Sequence, residues 1–439
     1  MLSYPVRIAL IAALGGFLFG FETVVISGAE QTLEQLWKLN ELSHGLTVAS
    51  SLFGTIFGSL LAGFPAQKYG RKKTLQVIST FFIVAALGCA FTSAWGLFIF
   101  FRIIGGLAVG ASSVIAPMYI SEISPAGLRG RLAGSFQVMI VTGIVGAYLT
   151  NYLFSQLQLA DSWRWMLGVM VVPSVLFSIL LFTIPESPRW LILEGDEQAA
   201  LPILRRLGEL NIAAAVSSIR DSVKEHQEKL FQRRYSQPIL CAMLLAMFNQ
   251  LSGINAILYY APRIFEMAGF DKTQSFSQSI FIGVANLIST LLAMTVIDKF
   301  GRKTLLIIGS LGMIVFLSLV AGAFSGDLSG NKHLLLYLIG FIVFFAFSQG
   351  AVIWVFISEI FPNSVRSKGG SLGSTTHWVM AAIITTIFPS IVEGHKAGGF
   401  WSFVFFAVMM LVQLIFIWRV MPETKGKSLE QIQKDLRIA

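Results

Sequence analysis

Long apolar segments alternate with short polar connections along most of the chain. A helix needs about 20 mostly apolar residues to cross the roughly 30 Å hydrocarbon core of a bilayer. Such segments recur twelve times, and one longer polar stretch separates the sixth from the seventh. The pattern predicts an all-α polytopic membrane protein with twelve transmembrane helices at 5–30, 44–66, 74–94, 97–121, 131–154, 164–184, 238–267, 277–297, 304–324, 333–358, 368–392 and 399–420.

Composition and charge agree with this prediction. The chain is 55% hydrophobic and 13% charged, with a mean hydropathy of +0.73, whereas a soluble protein of 439 residues needs far more polar surface. Its net charge of +9 comes from basic residues at the ends of alternate helices. The positive-inside rule explains these clusters better than nucleic-acid binding does. We therefore expect no nucleic acid partner, and both termini in the cytoplasm, with the chain in the plasma membrane (the inner membrane of a bacterium).

The first apolar segment has one alternative interpretation. MLSYPVRIALIAALGGFLFG could begin a secretory signal peptide. No small-x-small cleavage site follows, and the helical pattern continues through Glu22 to Ser27. The segment is therefore interpreted as the first transmembrane helix.

An enzyme is disfavoured by the reactive residues. Cys89 and Cys241 both lie inside apolar segments, which argues against a disulfide framework and against a metal site. The chain shows no nucleophile–base set and no metal-ligand spacing. We expect neither a cofactor nor a metal.

The two halves of the chain repeat each other. YGRKKTL at 69–75 returns as FGRKTLL at 300–306, and IPESP at 184–188 returns as MPETK at 421–425. Repeats at equivalent helix ends indicate two pseudo-symmetric six-helix bundles, which enclose a site near the bilayer midplane that opens to each side in turn. The predicted domains are an N-terminal bundle, a cytoplasmic linker with short amphipathic helices, a C-terminal bundle and a cytoplasmic tail, at 1–186, 187–236, 237–421 and 422–439.

Three amides interrupt the seventh apolar segment. In FNQLSGINAILYYAP, Asn249, Gln250 and Asn255 do not share one face of a straight helix, but Gly253 permits a break that would let them converge. Each carboxamide both donates and accepts hydrogen bonds, as each sugar hydroxyl does. The alternative is that the amides only pair with neighbouring helices.

Two charges also lie inside apolar segments. A charge at mid-bilayer costs about 2.5–3.5 kcal/mol or more, so such residues usually have a function and a partner. Glu22 lies in the first segment and Arg102 near the start of the fourth. The residues alone leave open a proton site and a purely structural ion pair.

Several motifs carry a family resemblance that covers nearly the whole chain. They are RIIGGLAVGASSVIAPMYISEISPAGLRG, PESPRW, QLSGINAILYYAP, SEIFPNSVRSK and PETKG. In this order and at these helix ends, the chain resembles the sugar porter family of the major facilitator superfamily, which includes facilitative glucose transporters and bacterial xylose–proton symporters. The resemblance implies the major facilitator fold and alternating access to a monosaccharide site.

The resemblance also implies roles for particular residues. Proton-coupled members have an acid at the position of Glu22 with an arginine near it, here Arg102, whereas facilitative members have an uncharged residue in place of the acid. His377 replaces the usual amide and could instead make an interhelical hydrogen bond, and core packing is an alternative for Trp354 and Trp378. The implied sugar contacts are Gln137, Asn249, Gln250, Asn255, Tyr259, Asn286, Trp354, His377 and Trp378.

A second implied set of residues forms a cytoplasmic gate that latches the two halves when the site faces outward. Glu122 and Arg129 return 237 residues later as Glu359 and Arg366, and orientation by positive charge alone does not explain the repeated glutamates. The gate residues are Arg71, Glu122, Arg129, Glu186, Arg302, Glu359, Arg366 and Glu423.

These features together predict a secondary active transporter that imports a hexose or pentose by sugar–proton symport. The expected partners are the sugar, a proton and the lipid bilayer, and one chain already holds a full pathway, so a monomer is expected to function. An uncoupled uniporter is one alternative, against which Glu22 argues. A non-transporting sugar sensor is another; sensors of this fold carry a long signalling tail, whereas only residues 422–439 follow here.

Overall fold

Helices dominate the computed structural model, which describes residues 3–425 and 431 apart from 126, 158, 160, 210, 222–227, 326–332, 363, 395 and 396. Within these residues, twelve segments are long and apolar enough to span a membrane, which confirms the predicted number. Spans 1 to 12 are, in chain order, Tyr4–Gly28, Glu41–Leu61, Arg71–Phe91, Trp95–Ile123, Arg129–Gln156, Ser162–Leu181, Arg233–Tyr259, Lys272–Thr295, Arg302–Ala323, Leu334–Ile357, Arg366–Glu393 and Gly398–Arg419.

Some of these spans are not continuous α-helices. Span 6 consists of Ser162–Gly168 and Val171–Leu181, and span 7 is divided between Ser236–Leu251 and Ile254–Tyr259. Span 10 widens into a π-helical turn at Ala346–Gly350. Three short helices lie between spans, at Glu30–Trp37, Gly63–Tyr69 and Ala261–Met267.

The polar stretch between spans 6 and 7 forms the short amphipathic helices that the sequence predicts. They are Pro188–Leu193, Glu197–Leu207 and Ile212–Asp221. Their apolar faces share a small core around Leu191 and Leu204. The predicted tail beyond residue 425 lies outside the described residues, except for residue 431.

The residues group into two compact units. The first unit comprises Met1–Thr23, Ser50–Ala147 and Trp163–His226. The second comprises Val24–Ala49, Tyr148–Ser162 and Gln227–Ala439. The end of span 1, the start of span 2 and the end of span 5 therefore pack with residues from the second half of the sequence.

Glycines set the helix spacing inside the first unit. A Cβ on Gly106 would lie 1.8 Å from the carbonyl oxygen of Ser51, so span 4 touches the backbone of span 2. A Cβ on Gly20 would lie 1.8 Å from the carbonyl oxygen of Ile140, so span 1 touches span 5 in the same way. Small residues permit such close helix contacts in membranes. These contacts fix the surroundings of the two charged residues inside spans 1 and 4.

The second unit contains one close approach that positions a charged cluster. A Cβ on Gly45 would lie 1.9 Å from the carbonyl oxygen of Thr386, so the start of span 2 lies against the backbone of span 11. Only a residue without a side chain permits this contact. His44, the residue before this glycine, is held there with no exposed surface.

Candidate functional site

A helix break at Gly253 shapes the polar part of span 7. The helix ends at Leu251, Gly253 has φ +84°, and a new helix begins at Ile254. A Cβ at position 253 would lie 2.4 Å from the ring of Phe406, so both the dihedral angle and the space require glycine. The predicted break is confirmed, and it lies between the amides of the motif.

Two of these amides contact each other and a histidine. Gln250 donates through Nε2 to Oδ1 of Asn249 at 3.0 Å, and the same nitrogen lies 3.0 Å from Nε2 of His377. That ring nitrogen accepts the bond when the imidazole hydrogen is on Nδ1. Oε1 of Gln250 is buried and has no hydrogen-bond partner in the described part of the chain. The amide therefore keeps one free acceptor inside the helix bundle.

The polar contacts continue through residues that the sequence analysis missed. Asn249 donates through Nδ2 to Oε1 of Gln349 at 3.4 Å. Gln349 lies in the π-helical turn of span 10. Gln349 donates to Gln413, and Gln413 donates to the hydroxyl of Ser310 at 2.9 Å. Each belongs to a different, mostly apolar span. The one available signal was the presence of an amide in spans 10 and 12, because a buried amide needs a partner.

Two indole rings flank the histidine of this cluster. The ring centre of His377 lies 5.0 Å from that of Trp354 and 4.8 Å from that of Trp378, the latter edge to face. Trp378 is 6% exposed, whereas Trp354 is 39% exposed. The structure thus brings together three of the predicted sugar contacts at this point, and part of the Trp354 side chain remains exposed.

The remaining predicted sugar contacts occupy different elements. Asn255 and Tyr259 lie on the short helix after the break, which packs against span 11, and both are buried. Asn286 is 7% exposed in span 8, which packs against the π-helical turn of span 10. Gln137 is half-buried in span 5 and belongs to the first unit.

Glu22 and Arg102 form an ion pair inside the first unit. Nη1 of Arg102 contacts Oε1 of Glu22, and the two residues are 1% and 5% exposed, respectively. Nε and Nη2 of Arg102 have no hydrogen-bond partner among the described residues. The arginine therefore depends on this one carboxylate for charge compensation.

Three of the predicted gate residues meet in the first unit. Arg71 donates through Nε and Nη2 to both oxygens of Glu122, each at 2.9 Å. The backbone amides of Arg71 and Lys72, at the start of span 3, donate to the carboxylate of Glu186 at 2.9 and 3.0 Å. A carboxylate at a helix N-terminus is favoured by the unpaired amides and the helix dipole.

The second unit repeats this arrangement. Arg302 donates to Glu359 at 2.9 Å, and its backbone amide donates to Glu423 at 3.0 Å. Glu359 also accepts from the hydroxyl of Thr424 at 2.7 Å. The glycines before the two arginines have φ +92° and +88°, so the duplicated sequence motif has duplicated geometry.

The other two gate residues make different contacts. Arg129 is exposed at the start of span 5. Arg366 donates through Nε to the carbonyl oxygen of Phe361 at 3.3 Å, and its Nη2 is buried with no hydrogen-bond partner in the described residues. Each of the two arginines is the first residue of its helix, Arg129–Gln156 and Arg366–Glu393.

Known sugar–proton symporters are similar to this chain over nearly its whole length. The arabinose–proton symporter of Bacillus subtilis is 35% identical, over 99% of this chain and 95% of its own. The D-xylose–proton symporter of Escherichia coli K12 is 36% identical, over 98% and 95%. A solved structure of the E. coli xylose transporter XylE, in a partially occluded inward-open conformation, has a TM-score of 0.87 at 34% identity and covers 97% of this chain and 99% of its own.

Residues 8–436 match the family described as "Sugar (and other) transporter". The structural likeness shows that the twelve spans form the major facilitator fold. The chain is thus an integral membrane transporter rather than an enzyme, and it belongs to the sugar (and other) transporter family.

Proposed function

We propose that this transporter imports a monosaccharide together with a proton, by alternating access. The observation that carries the sugar site is the free, buried Oε1 of Gln250 beside Asn249 and His377. A buried polar atom without a partner costs about 1–3 kcal/mol. A sugar hydroxyl would donate to this oxygen and offset that cost, whereas an apolar ligand would not.

The surroundings of the free oxygen also suit a neutral, hydroxylated ligand. Amide and imidazole groups that donate and accept surround it, and no charged side chain is among the contacts described for it. The exposed face of Trp354 can lie against the apolar C–H face of a sugar ring. We assign sugar contact also to Gln137, Asn255, Tyr259, Asn286 and Trp378, on the family resemblance.

Proton coupling is assigned to the buried pair of Glu22 and Arg102. Protonation of Glu22 removes its charge and breaks the ion pair, which changes the interactions of span 1 with span 4. A ligand shifts a conformational equilibrium only through such a differential interaction with the two states. Protonation outside would thus favour the loaded occluded state, and release inside would permit the return.

The orientation and the gate complete the proposal. The basic helix ends support an orientation in the plasma membrane (the inner membrane of a bacterium) with both termini on the cytoplasmic side. We also propose that a single chain is sufficient for transport. The arginine–glutamate contacts then lie at the cytoplasmic ends of the spans. Arg71 and Glu122 contact each other within one unit. We therefore assign to this pair the role of holding together the helix ends that form the cytoplasmic gate.

Transport in proteoliposomes tests the proposal. Labelled arabinose, xylose and glucose would be offered with and without an imposed proton gradient, and with a protonophore as control. We expect accumulation of at least one of these sugars above equilibrium only when the gradient is present. Equal uptake with and without the gradient would contradict symport and would indicate a uniporter. No uptake of any monosaccharide would contradict the assigned substrate class.

A further inference from the structure

Five charged or titratable side chains meet in the second unit, away from the residues assigned to sugar and proton. Glu30 and Glu34 are one turn apart on the helix Glu30–Trp37. His44 lies in the first turn of span 2, Arg263 on the helix Ala261–Met267, and Glu393 at the end of span 11. We call this group the Glu30 cluster. In the proposed orientation it lies at the outer ends of the spans.

The histidine is buried and points into the cluster. His44 has no exposed surface, and its Nε2 lies 2.6 Å from Oε2 of Glu30. Its Nδ1 lies 3.7 Å from Oε2 of Glu34. Despite these distances, neither ring nitrogen of His44 nor Oε2 of Glu30 has a hydrogen-bond partner in the described part of the chain. Three buried polar atoms, two imidazole nitrogens and one carboxylate oxygen, thus lie without hydrogen bonds.

The cluster has an excess of negative charge. Arg263 contacts Glu30, Glu34 and Glu393 at once, with Nε 3.1 Å from Oε1 of Glu30. Three carboxylates therefore share one guanidinium, which leaves two negative charges when His44 is neutral. A buried charge is stable only when it is compensated. A divalent cation in the place of Arg263 would neutralise both carboxylates that His44 faces, those of Glu30 and Glu34.

The ligand types select the class of cation. One imidazole nitrogen with two carboxylate oxygens suits Zn²⁺ and similar divalent transition metals, whereas Ca²⁺ and Mg²⁺ take oxygen ligands alone. One ligand atom from each of Glu30, Glu34 and His44 lies within 4.8 Å of the others. With Zn²⁺ bonds of about 2.0–2.1 Å, tetrahedral neighbours lie about 3.3 Å apart, so side-chain adjustments of about 1–2 Å close the site. The sequence analysis missed it because the ligands are not cysteines and His44 lies on a different helix from Glu30 and Glu34.

We propose that Glu30, Glu34 and His44 bind a divalent transition metal ion such as Zn²⁺, in competition with Arg263. The guanidinium and the metal use the same oxygens, because Nη2 of Arg263 contacts Oε2 of both Glu30 and Glu34. The ligands come from the first half of the sequence and Arg263 from the second. The functional consequence rests on the proposed alternating access: when the outer ends separate, Arg263 leaves and the metal takes its place. External Zn²⁺ then slows the return of the outer ends to their closed arrangement and inhibits sugar uptake.

Zinc titration of the purified full-length protein tests the site without any transport assay. Isothermal titration would use ZnCl₂, with MgCl₂ and CaCl₂ as controls. Loss of an outer-shell partner of a metal costs about 10–100-fold in affinity, and loss of a ligand costs at least as much. We therefore expect His44→Gln to weaken zinc binding by at least about tenfold. Arg263→Gln removes the competing cation and should tighten it. Glu393→Gln is the matched control, because Glu393 contacts Arg263 but is not a proposed ligand; it should not weaken zinc binding as His44→Gln does.

The outcomes separate this inference from the proposed function. Zinc binding that is unaffected by His44→Gln, or absent even in Arg263→Gln, would overturn the site. If Arg263→Gln does not fold, the zinc affinity of His44→Gln compared with that of the parent still tests whether His44 is a ligand. Sugar uptake in metal-free proteoliposomes tests transport separately, so a failed zinc titration leaves the transport proposal untouched. Inhibition of uptake by external Zn²⁺ that disappears in His44→Gln would support both.

Discussion

The buried ion pair in the first unit gives the sharpest test of coupling. Glu22→Gln mimics the protonated acid but leaves Arg102 charged, 1% exposed and without its one carboxylate partner. Removing one partner of a buried ion pair costs about 3–5 kcal/mol. An unpaired arginine at mid-bilayer costs about 2.5–3.5 kcal/mol on insertion scales, which is a similar amount. We expect Glu22→Gln to unfold at a clearly lower temperature than the parent.

A double variant separates stability from coupling. Replacing a buried pair by apolar or neutral groups of similar volume is often neutral for stability. Glu22→Gln with Arg102→Met should therefore recover most of the lost stability. Neither variant should accumulate sugar under a proton gradient, because both lack the titrating carboxyl. Both should still exchange labelled for unlabelled sugar, since the proposed sugar contacts are intact.

The assays are thermal unfolding of the purified variants, and counterflow and gradient-driven uptake in proteoliposomes. Thr55→Val is the matched control: Thr55 is buried in span 2 of the same unit, and its hydroxyl donates to the carbonyl oxygen of Ser51 at 2.9 Å. It should lose little stability and keep full accumulation. If the double variant regains accumulation together with stability, the pair is only structural and the proton uses another route.

Three further outcomes are expected. Gln250→Ala should weaken sugar binding by about 2–10-fold in isothermal titration, because one hydrogen bond to a neutral ligand is worth about 0.5–1.5 kcal/mol; unchanged affinity would mean that the amide only joins helices. Gly253→Ala should destabilise the protein by about 1–2 kcal/mol or more in thermal unfolding, because its Cβ is strained at φ +84° and meets Phe406; an unchanged melting temperature would refute this. Glu359→Gln should slow sugar uptake and increase the labelling of cysteines from the cytoplasmic side. Slower sugar uptake with unchanged cysteine labelling would indicate a folding defect instead.

The fold was predictable because lipid imposes a simple rule on sequence. Every backbone group in the hydrocarbon must be paired internally, so a run of about 20 apolar residues has one structural solution. The break in span 7 was also predictable, because Gly253 stands among amides that a straight helix would scatter. The π-helical turn at Ala346–Gly350 was not, since its residues have no distinctive pattern and its register depends on neighbouring spans.

Polar contacts between elements that are distant in the sequence could not be predicted from the sequence. Gln349, Gln413 and Ser310 lie in three different, mostly apolar spans, and nothing local shows that they meet. His44 and Arg263 lie at helix ends, where charged residues are usually solvated. Only the packing, through the close approach at Gly45, buries the histidine among carboxylates. Partner identity is a property of the assembled helices and not of any single segment.

The two halves of the sequence keep the same helix-end motifs but differ in the interior. The motif copies lie 231 to 237 residues apart, which maps Glu22 onto residues 253–259 and Arg102 onto 333–339. Those stretches read GINAILY and HLLLYLI, with no acid and no arginine. The contacts that fix helix ends are thus present in both halves, whereas the buried pair of Glu22 and Arg102 is present in one. The corresponding stretch of the other half contains the neutral amide Asn255, which suits a ligand without charge.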